Sequence, residues 1–299
     1  MASSKTQRRP RLAVAVGEDY EEFSPDWPHL RRALDEVGVA PTLERWTDAE
    51  VSWDEFDLIL ANGAWDNIRH PAEFLEWVDR VADQTRMVNA PAILRWNIDK
   101  RYLEVLSDAG VPTVPTTWLE PPLASAASVR LPQGEFVVKP SISGGGFETA
   151  RYRPDDVGAA RAHIDRLLAA GRTAMVQPYQ AAVDTQGEVG LIFLSGQFSH
   201  AIGKSPLLHP GVGAQQNLAI HEQINAVEPS EAQRATAQNA LAAAQHLLGP
   251  PTYARVDLVP RPDGTPAVLE LELLDPALFF DTQPAAASRF AHVLRGLIP

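Results

Sequence analysis

Residues 135–152, E-F-V-V-K-P-S-I-S-G-G-G-F-E-T-A-R-Y, constrain this chain more than any other stretch. Phe136, Val137 and Val138 are strand formers, and Pro140 stops the ladder just beyond them. A buried strand therefore carries Lys139 to its end and aims it into the space beyond. Ser141, Ser143, Gly144, Gly145 and Gly146 follow within six positions. Glycine has no Cβ to block close approach, so such a loop turns several backbone N–H groups toward one anion, and phosphate is the natural guest. The plain alternative is a flexible hairpin turn.

Lysine usage separates the two readings. The chain has four lysines, Lys5, Lys100, Lys139 and Lys204, among twenty-two arginines. Arginine supplies the surface cations, so lysine marks the places where a compact ammonium is wanted instead of a planar fork. Lys5 belongs to the tail, which leaves three lysines to explain.

A net charge of -12 opposes non-specific binding of nucleic acid or anionic membranes, so neither partner is expected. Bound polyphosphate would need a local basic pocket, with magnesium supplying further charge. The absence of cysteine excludes disulfides, thiolate chemistry and cysteine-ligated metals. The first eleven residues lack the apolar segment of a secretory signal, and no run approaches the roughly 18 apolar residues of a membrane helix. A cytoplasmic location is expected.

The 299 residues suffice for two or three subdomains. Alternating periods predict a first α/β layer over 1–94, with strands at 12–16, 42–46 and 58–60 and helices at 26–37 and 71–81. An acidic turn follows the first strand. No G-x-G-x-x-G follows it, so a dinucleotide role is not expected. The polar turn 62–67 sits after a strand, where α/β layers carry ligand contacts.

A second unit is expected over 95–180, opening with a helix at 98–109. The prolines of 111–116 force extended chain next, followed by the glycine-loop strand, a helix at 155–169 and a strand at 174–177. A third unit is expected over 181–299. Beyond a linker at 178–186, Ser195-Gly196 joins strands 189–194 and 198–202 in a hairpin, and the second strand leads to Lys204. A helix at 230–248, strands at 253–259 and 267–274 joined by Pro262-Asp263-Gly264, and a helix at 279–297 complete the chain. Gly203-Lys204-Ser205 is not a P-loop, because Phe198 stands where that motif needs glycine. A G-x-S-x-G elbow and an H-E-x-x-H helix are both missing.

Period two places Arg255 and Asp257 on one face of their strand, and Glu270 and Glu272 on one face of its partner. Three carboxylates and an arginine should converge. Hard oxygen ligands beside phosphate-binding groups suit Mg²⁺. The alternation would equally serve a solvated hairpin face, which leaves Lys139, Lys204 and the glycine loop without a role.

Over residues 95–276, Asp99-Lys100 with a downstream Gly-Val-Pro, Val-Val-Lys-Pro with its glycine loop, Val176-Gln177-Pro178-Tyr179, Arg255-Val256-Asp257 and Glu270-Leu271-Glu272 together resemble the ATP-grasp ligases of the glutathione-synthetase-like branch. The resemblance implies an α/β fold, α+β in its C-terminal part, with ATP-grasp architecture behind a Rossmann-like N-terminal layer. It implies that Lys100 and Lys139 hold the α- and β-phosphates and that Ser141, Ser143 and Gly144 to Gly146 close over the γ-phosphate. Gln177, Pro178 and Tyr179 would meet adenine, and either Asp184 or Glu188 the ribose. Arg255 and Lys204 would face the transferring phosphoryl group. Asp257, Glu270 and Glu272 would hold Mg²⁺, two ions in all, with Mn²⁺ as a substitute.

Two positions depart from the family's pattern. Glu272 stands where many members have asparagine, which alters the charge at the metal, and Pro178 stands where many have glutamate. The implied chemistry is ATP-dependent carboxylate–amine ligation through an acyl phosphate. The stretch Trp96-Asn97-Ile98-Asp99-Lys100-Arg101-Tyr102-Leu103 looks most like the O-ureido-serine cyclo-ligases of cycloserine biosynthesis. That likeness implies a small amino-acid substrate, its α-amino group held by the 62–67 turn and its carboxylate near Lys204 or Arg255. An intermolecular amino-acid ligase is the alternative, and a catalytically silent nucleotide-binding module is the alternative of another class. A homo-oligomer is compatible with either.

Overall fold

The computed structural model describes residues 8–18, 24–122, 125–214 and 223–299, with the side chain of Ser128 left aside. Lys5 and most of the expected acidic turn, at 19–23, lie outside the described residues.

The first layer comprises β1 (Arg11–Val16), α1 (Trp27–Glu36), β2 (Ala40–Arg45), β3 (Leu58–Leu60), α2 (Pro71–Ala82) and the short β4 (Met87–Val88). Its sheet is parallel in the order β2-β1-β3-β4. β1 is apolar and buried from Leu12 to Val16 because both of its faces are covered. Leu12 and Val14 pack with Leu30 and Leu34 of α1, whereas Ala13 and Ala15 pack with Phe74 and Trp77 of α2. The polar turn expected at 62–67 holds a 3₁₀ turn over Trp65–Ile68.

Helical spacing predicts one helix over 98–109, but the chain forms α3 (Pro91–Asn97) and α4 (Tyr102–Asp108) with a break between them. The break has a physical cause. The Asn97 side chain donates to the Leu271 carbonyl and accepts from the amides of Leu273 and Leu274, while the Lys100 amide donates to the Ser141 carbonyl at 2.9 Å. These bonds take the chain out of helix where Lys100 must turn inward.

The next sheet is antiparallel in the order β5-β8-β6-β7, from β5 (Thr117–Leu119), β6 (Phe136–Pro140), β7 (Ala150–Tyr152) and β8 (Ala174–Pro178). α5 (Val157–Ala169) covers it with Ala160, Ile164 and Leu167. The expected 178–186 linker contains one helical turn, α6 (Val183–Gln186).

The third sheet is antiparallel in the order β11-β10-β9-β12-β13. Its strands are β9 (Glu188–Leu194), β10 (Gln197–Lys204), β11 (Ile224–Ala226), β12 (Tyr253–Pro260) and β13 (Pro266–Glu272). Ser195 and Gly196 both have positive φ, 49° and 75°, the two left-handed positions that a tight hairpin turn requires. α7 (Glu231–Leu248) starts in a Ser230/Gln233 capping box and ends at Gly249, whose φ is +81°.

The last helix, expected from 279, is α8 (Pro284–Leu297). Its start is delayed because Asp26 captures the preceding backbone, its carboxylate accepting from the amides of Leu278 at 2.6 Å and Phe280 at 2.7 Å. α8 then packs through Phe290 and Leu294 into a core shared with β1, β9 and Tyr253, which fixes the third sheet against the first layer. Among the described residues, no helix is long and apolar enough to cross a membrane.

Candidate active site

β6 carries Lys139 one residue before its end, the turn between α3 and α4 presents Lys100, β10 ends with Lys204, and the β12–β13 pair carries Arg255, Asp257, Glu270 and Glu272. The register of that pair sets Arg255 opposite Glu272 and Asp257 opposite Glu270. A register shift follows Asp257, the kind of local irregularity that re-aims a side chain. Arg255 is 6% exposed and Asp257 1%, so this charged face of the hairpin is buried and not solvated.

The cations and carboxylates interlock. Lys139 Nζ lies 2.9 Å from Glu270 Oε1, with Lys100 Nζ 3.8 Å from the same oxygen. Lys100 also donates to the Ser143 carbonyl, which ties the glycine loop to the charge cluster. Lys204 Nζ stands 3.0 Å from both Asp257 and Glu188. Arg255 bridges Asp257 at 2.9 Å and Glu272 at 2.5 Å, and donates to the Ala277 carbonyl at 2.7 Å. Oxygens of Asp257, Glu270 and Glu272 all lie within 4.8 Å of one another. Three hard carboxylates bordered by phosphate-sized cation sites are a donor set that fits Mg²⁺.

Glycine makes room for one of these acids. Gly190 of β9 faces Asp257 in register, and a Cβ there would sit 2.8 Å from Asp257 Oδ1. No side chain larger than hydrogen fits without moving the carboxylate.

Burial and charge pull the acids apart. Burial favours the neutral form of Glu270, but Lys100 and Lys139 outweigh it and hold the carboxyl far below its usual range. For Asp257, burial is likewise overcome by Arg255 and Lys204, and the carboxyl stays depressed. Burial pushes Glu272 up to about 7, with Arg255 opposing and the negative charges of Asp257 and Glu270 adding to the rise. Lys100 is lowered, chiefly by burial, with Glu270 opposing and Lys139 adding to the fall.

A cleft of about 560 Å³ opens onto this cluster. Of the residues expected from sequence, Lys100, Ser143, Gly144, Gly145, Lys204, Arg255, Glu270 and Glu272 line it. Lys139, Asp257 and Glu188 stand one ion pair behind its wall. Ser141, Gly146, Gln177, Pro178, Tyr179 and Asp184 are not part of its lining. Ser141 instead anchors the loop, its amide donating to the Thr173 carbonyl. Gln177 donates to Thr116 Oγ1 at 2.9 Å. Tyr179 donates to Asp184 at 2.6 Å and lies under the Arg151 guanidinium, which itself holds Asp184 through two bonds.

In the 62–67 turn, Asn62 donates to the Pro276 carbonyl and Asn67 to that of Ala64, so both amide donors are engaged in shaping the wall. Asp275 also lines the cleft and was not foreseen. It belongs to no periodic pattern, and only its place three residues after Glu272 hints at it. Gly190 had a legible signal, a glycine interior to a strand.

The fold and this site define an ATP-dependent ligase of the ATP-grasp class, an enzyme that forms C–N bonds. The family described as D-cycloserine synthetase DcsG, N-terminal domain, matches residues 12–89. The cycloserine biosynthesis protein DcsG of Streptomyces lavendulae is 38% identical over 292 residues, covering 94% of this chain and 95% of that protein. The crystal structure of D-cycloserine synthetase DcsG matches with a TM-score of 0.90 at 35% identity, over 97% of this chain and 100% of the other. The ATP-grasp ligase PsnB, in complex with minimal precursor, Mg and ADP, shares the fold at a TM-score of 0.62 and 18% identity, over 97% of each chain. The chain belongs to the DcsG family.

Proposed function

We propose that this enzyme closes O-ureido-D-serine to D-cycloserine at the expense of ATP. The observation that carries the reading is the meeting of Lys100, Lys139, Lys204 and Arg255 with Asp257, Glu270 and Glu272 at one cleft. The name of the Streptomyces relative supplies the product.

Lys100, Lys139 and the glycine loop, from Ser141 and Ser143 to Gly146, hold the phosphates, and the backbone of 177–179 borders the adenine. Glu188, paired among the described residues with Lys204 alone, is the better candidate for the ribose than Asp184, which both Arg151 and Tyr179 engage. Asp257, Glu270 and Glu272 hold two Mg²⁺ ions, or Mn²⁺ in their place. The metal, when bound, neutralises charge on the phosphate oxygens. Lys204 and Arg255 orient the substrate carboxylate and stabilise the charge that spreads over the phosphoryl group as it transfers.

The carboxylate oxygen takes the γ-phosphoryl group and ADP departs. The nitrogen next to the side-chain oxygen then attacks the acyl carbon, phosphate leaves and the nitrogen loses its proton. The carbamoyl group still attached to that nitrogen is hydrolysed away as CO₂ and ammonia, so the sum consumes one ATP and one water. Because nucleophile and electrophile belong to one molecule, holding them together contributes about 7–11 kcal/mol through effective molarity. The test of the acyl phosphate is isotopic. With ¹⁸O in the substrate carboxylate, one labelled oxygen should appear in the released phosphate, and unlabelled phosphate would contradict the route.

A further inference from the structure

Each metal-facing carboxylate at the cleft is paired with at least one cation. Glu270 has Lys139, Glu272 has Arg255, and Asp257 has Arg255 and Lys204. Asp275 differs. It lines the same cleft, yet both of its carboxylate oxygens are buried without a hydrogen-bond partner among the described residues. Burial pushes its carboxyl well above the usual carboxylate range, with the Gly63 amide and Arg255 opposing and the negative charges of Glu272 and Asp66 adding to the rise. Burying a carboxylate with its lone pairs unanswered costs free energy that a cation arriving from outside would recover.

The position is built. The backbone is pinned on both sides of Asp275, by the Tyr253 hydroxyl on the Leu274 carbonyl before it and by Asn62 and Arg255 on the Pro276 and Ala277 carbonyls after it. Asp275 also lies outside the three-carboxylate group whose oxygens could share a metal. Asp281, the next acid along this wall, is exposed and needs no partner from the ligand.

We infer that Asp275 is the anchor for the α-ammonium group of the amino-acid substrate, and so a determinant of specificity. This rests on the functional reading above and names the residue that selects an amino acid over a simple carboxylic acid. In an α-amino acid the ammonium sits one carbon from the carboxylate. A carboxylate oriented by Arg255 therefore places its ammonium within the neighbourhood of Arg255, where Asp275 is the unanswered acid. In the 62–67 turn, the other candidate for this role, Asn62 and Asp66 do not line the cleft, Asp66 already accepts from Trp46 Nε1, and Asn67 offers only a neutral amide oxygen.

The test compares wild type with Asp275→Asn in steady-state kinetics. The variant should raise KM for O-ureido-D-serine by about 30-fold or more, the usual consequence of removing one partner of a desolvated charge pair. KM for ATP and the half-saturating Mg²⁺ concentration should stay within about twofold, and Tm should hold or rise, because the carboxyl has no hydrogen-bond partner among the described residues. A second arm uses a substrate analogue on both proteins. 3-(Ureidooxy)propanoate, which lacks the amino group, should inhibit with a Ki at least about 30-fold above the substrate's dissociation constant, and that gap should collapse in Asp275→Asn. An unchanged KM, a Mg²⁺ requirement that shifts along with it, or tight binding of the deamino analogue by wild type would each overturn the assignment. A wild-type enzyme inert toward O-ureido-D-serine would overturn the functional reading and the anchor with it.

Discussion

Lys139 Nζ lies 2.9 Å from Glu270 Oε1, which pairs the cation proposed to bind phosphate directly with a carboxylate proposed to bind metal. Without nucleotide the two neutralise each other in a buried setting. On the proposed roles, bound ATP and Mg²⁺ would replace this ion pair, Lys139 then serving a phosphate and Glu270 the metal. The pair thus keeps both charges tolerable inside the protein until the ligands arrive.

Replacing Lys139 with alanine removes a phosphate contact, while Lys100 remains 3.8 Å from Glu270 to compensate the carboxylate. The expected outcome is a fall in kcat/KM for ATP of about 10²-fold or more, with Tm lowered by only a few degrees. Coupled ADP release and a circular dichroism melt on the same sample check both halves. Turnover equal to wild type would refute the phosphate role.

Glu272→Gln should raise the Mg²⁺ concentration needed for half-maximal rate, because a charged oxygen ligand becomes a neutral one. Its effect on stability has a sign set by pH. Burial raises Glu272 to about 7 from an ordinary 4.5, so the folded protein binds more protons than the unfolded chain between those values. The group therefore costs stability progressively as pH rises from about 4.5 to about 7. In urea melts without nucleotide or metal, the variant should gain on wild type across that window and by no further amount above it. A difference that is flat with pH would contradict the raised carboxyl.

Gly190→Ala should move Asp257 without replacing any charged residue, since the new Cβ would sit 2.8 Å from Asp257 Oδ1. An increased Mg²⁺ requirement and at least about a tenfold loss of kcat are expected with the fold retained. Wild-type kinetics would show that Asp257 does not need its present position.

Much of this site was legible because strands have period two. Arg255 with Asp257, and Glu270 with Glu272, had to share faces once their segments were read as paired strands, and scarcity singled out Lys100, Lys139 and Lys204. The helix over 98–109 and the start of the last helix were misread for a common reason. Asn97 and Asp26 use their side chains on backbone groups of residues 271–274 and 278–280, and no local pattern announces partners so far along the chain. The short strands β4, β5, β7 and β11 hold two or three residues each, too few for a period to register. Asp275 escaped notice because its distinction is a missing partner, which only the assembled wall reveals.

The most direct measurement supplies the enzyme with ATP, Mg²⁺ and O-ureido-D-serine alone and quantifies D-cycloserine against ADP. One cycloserine per ADP, with no added amine, is the expected result. ADP formation that appears only when an external amine is supplied would contradict intramolecular closure and assign the cleft to an intermolecular ligase.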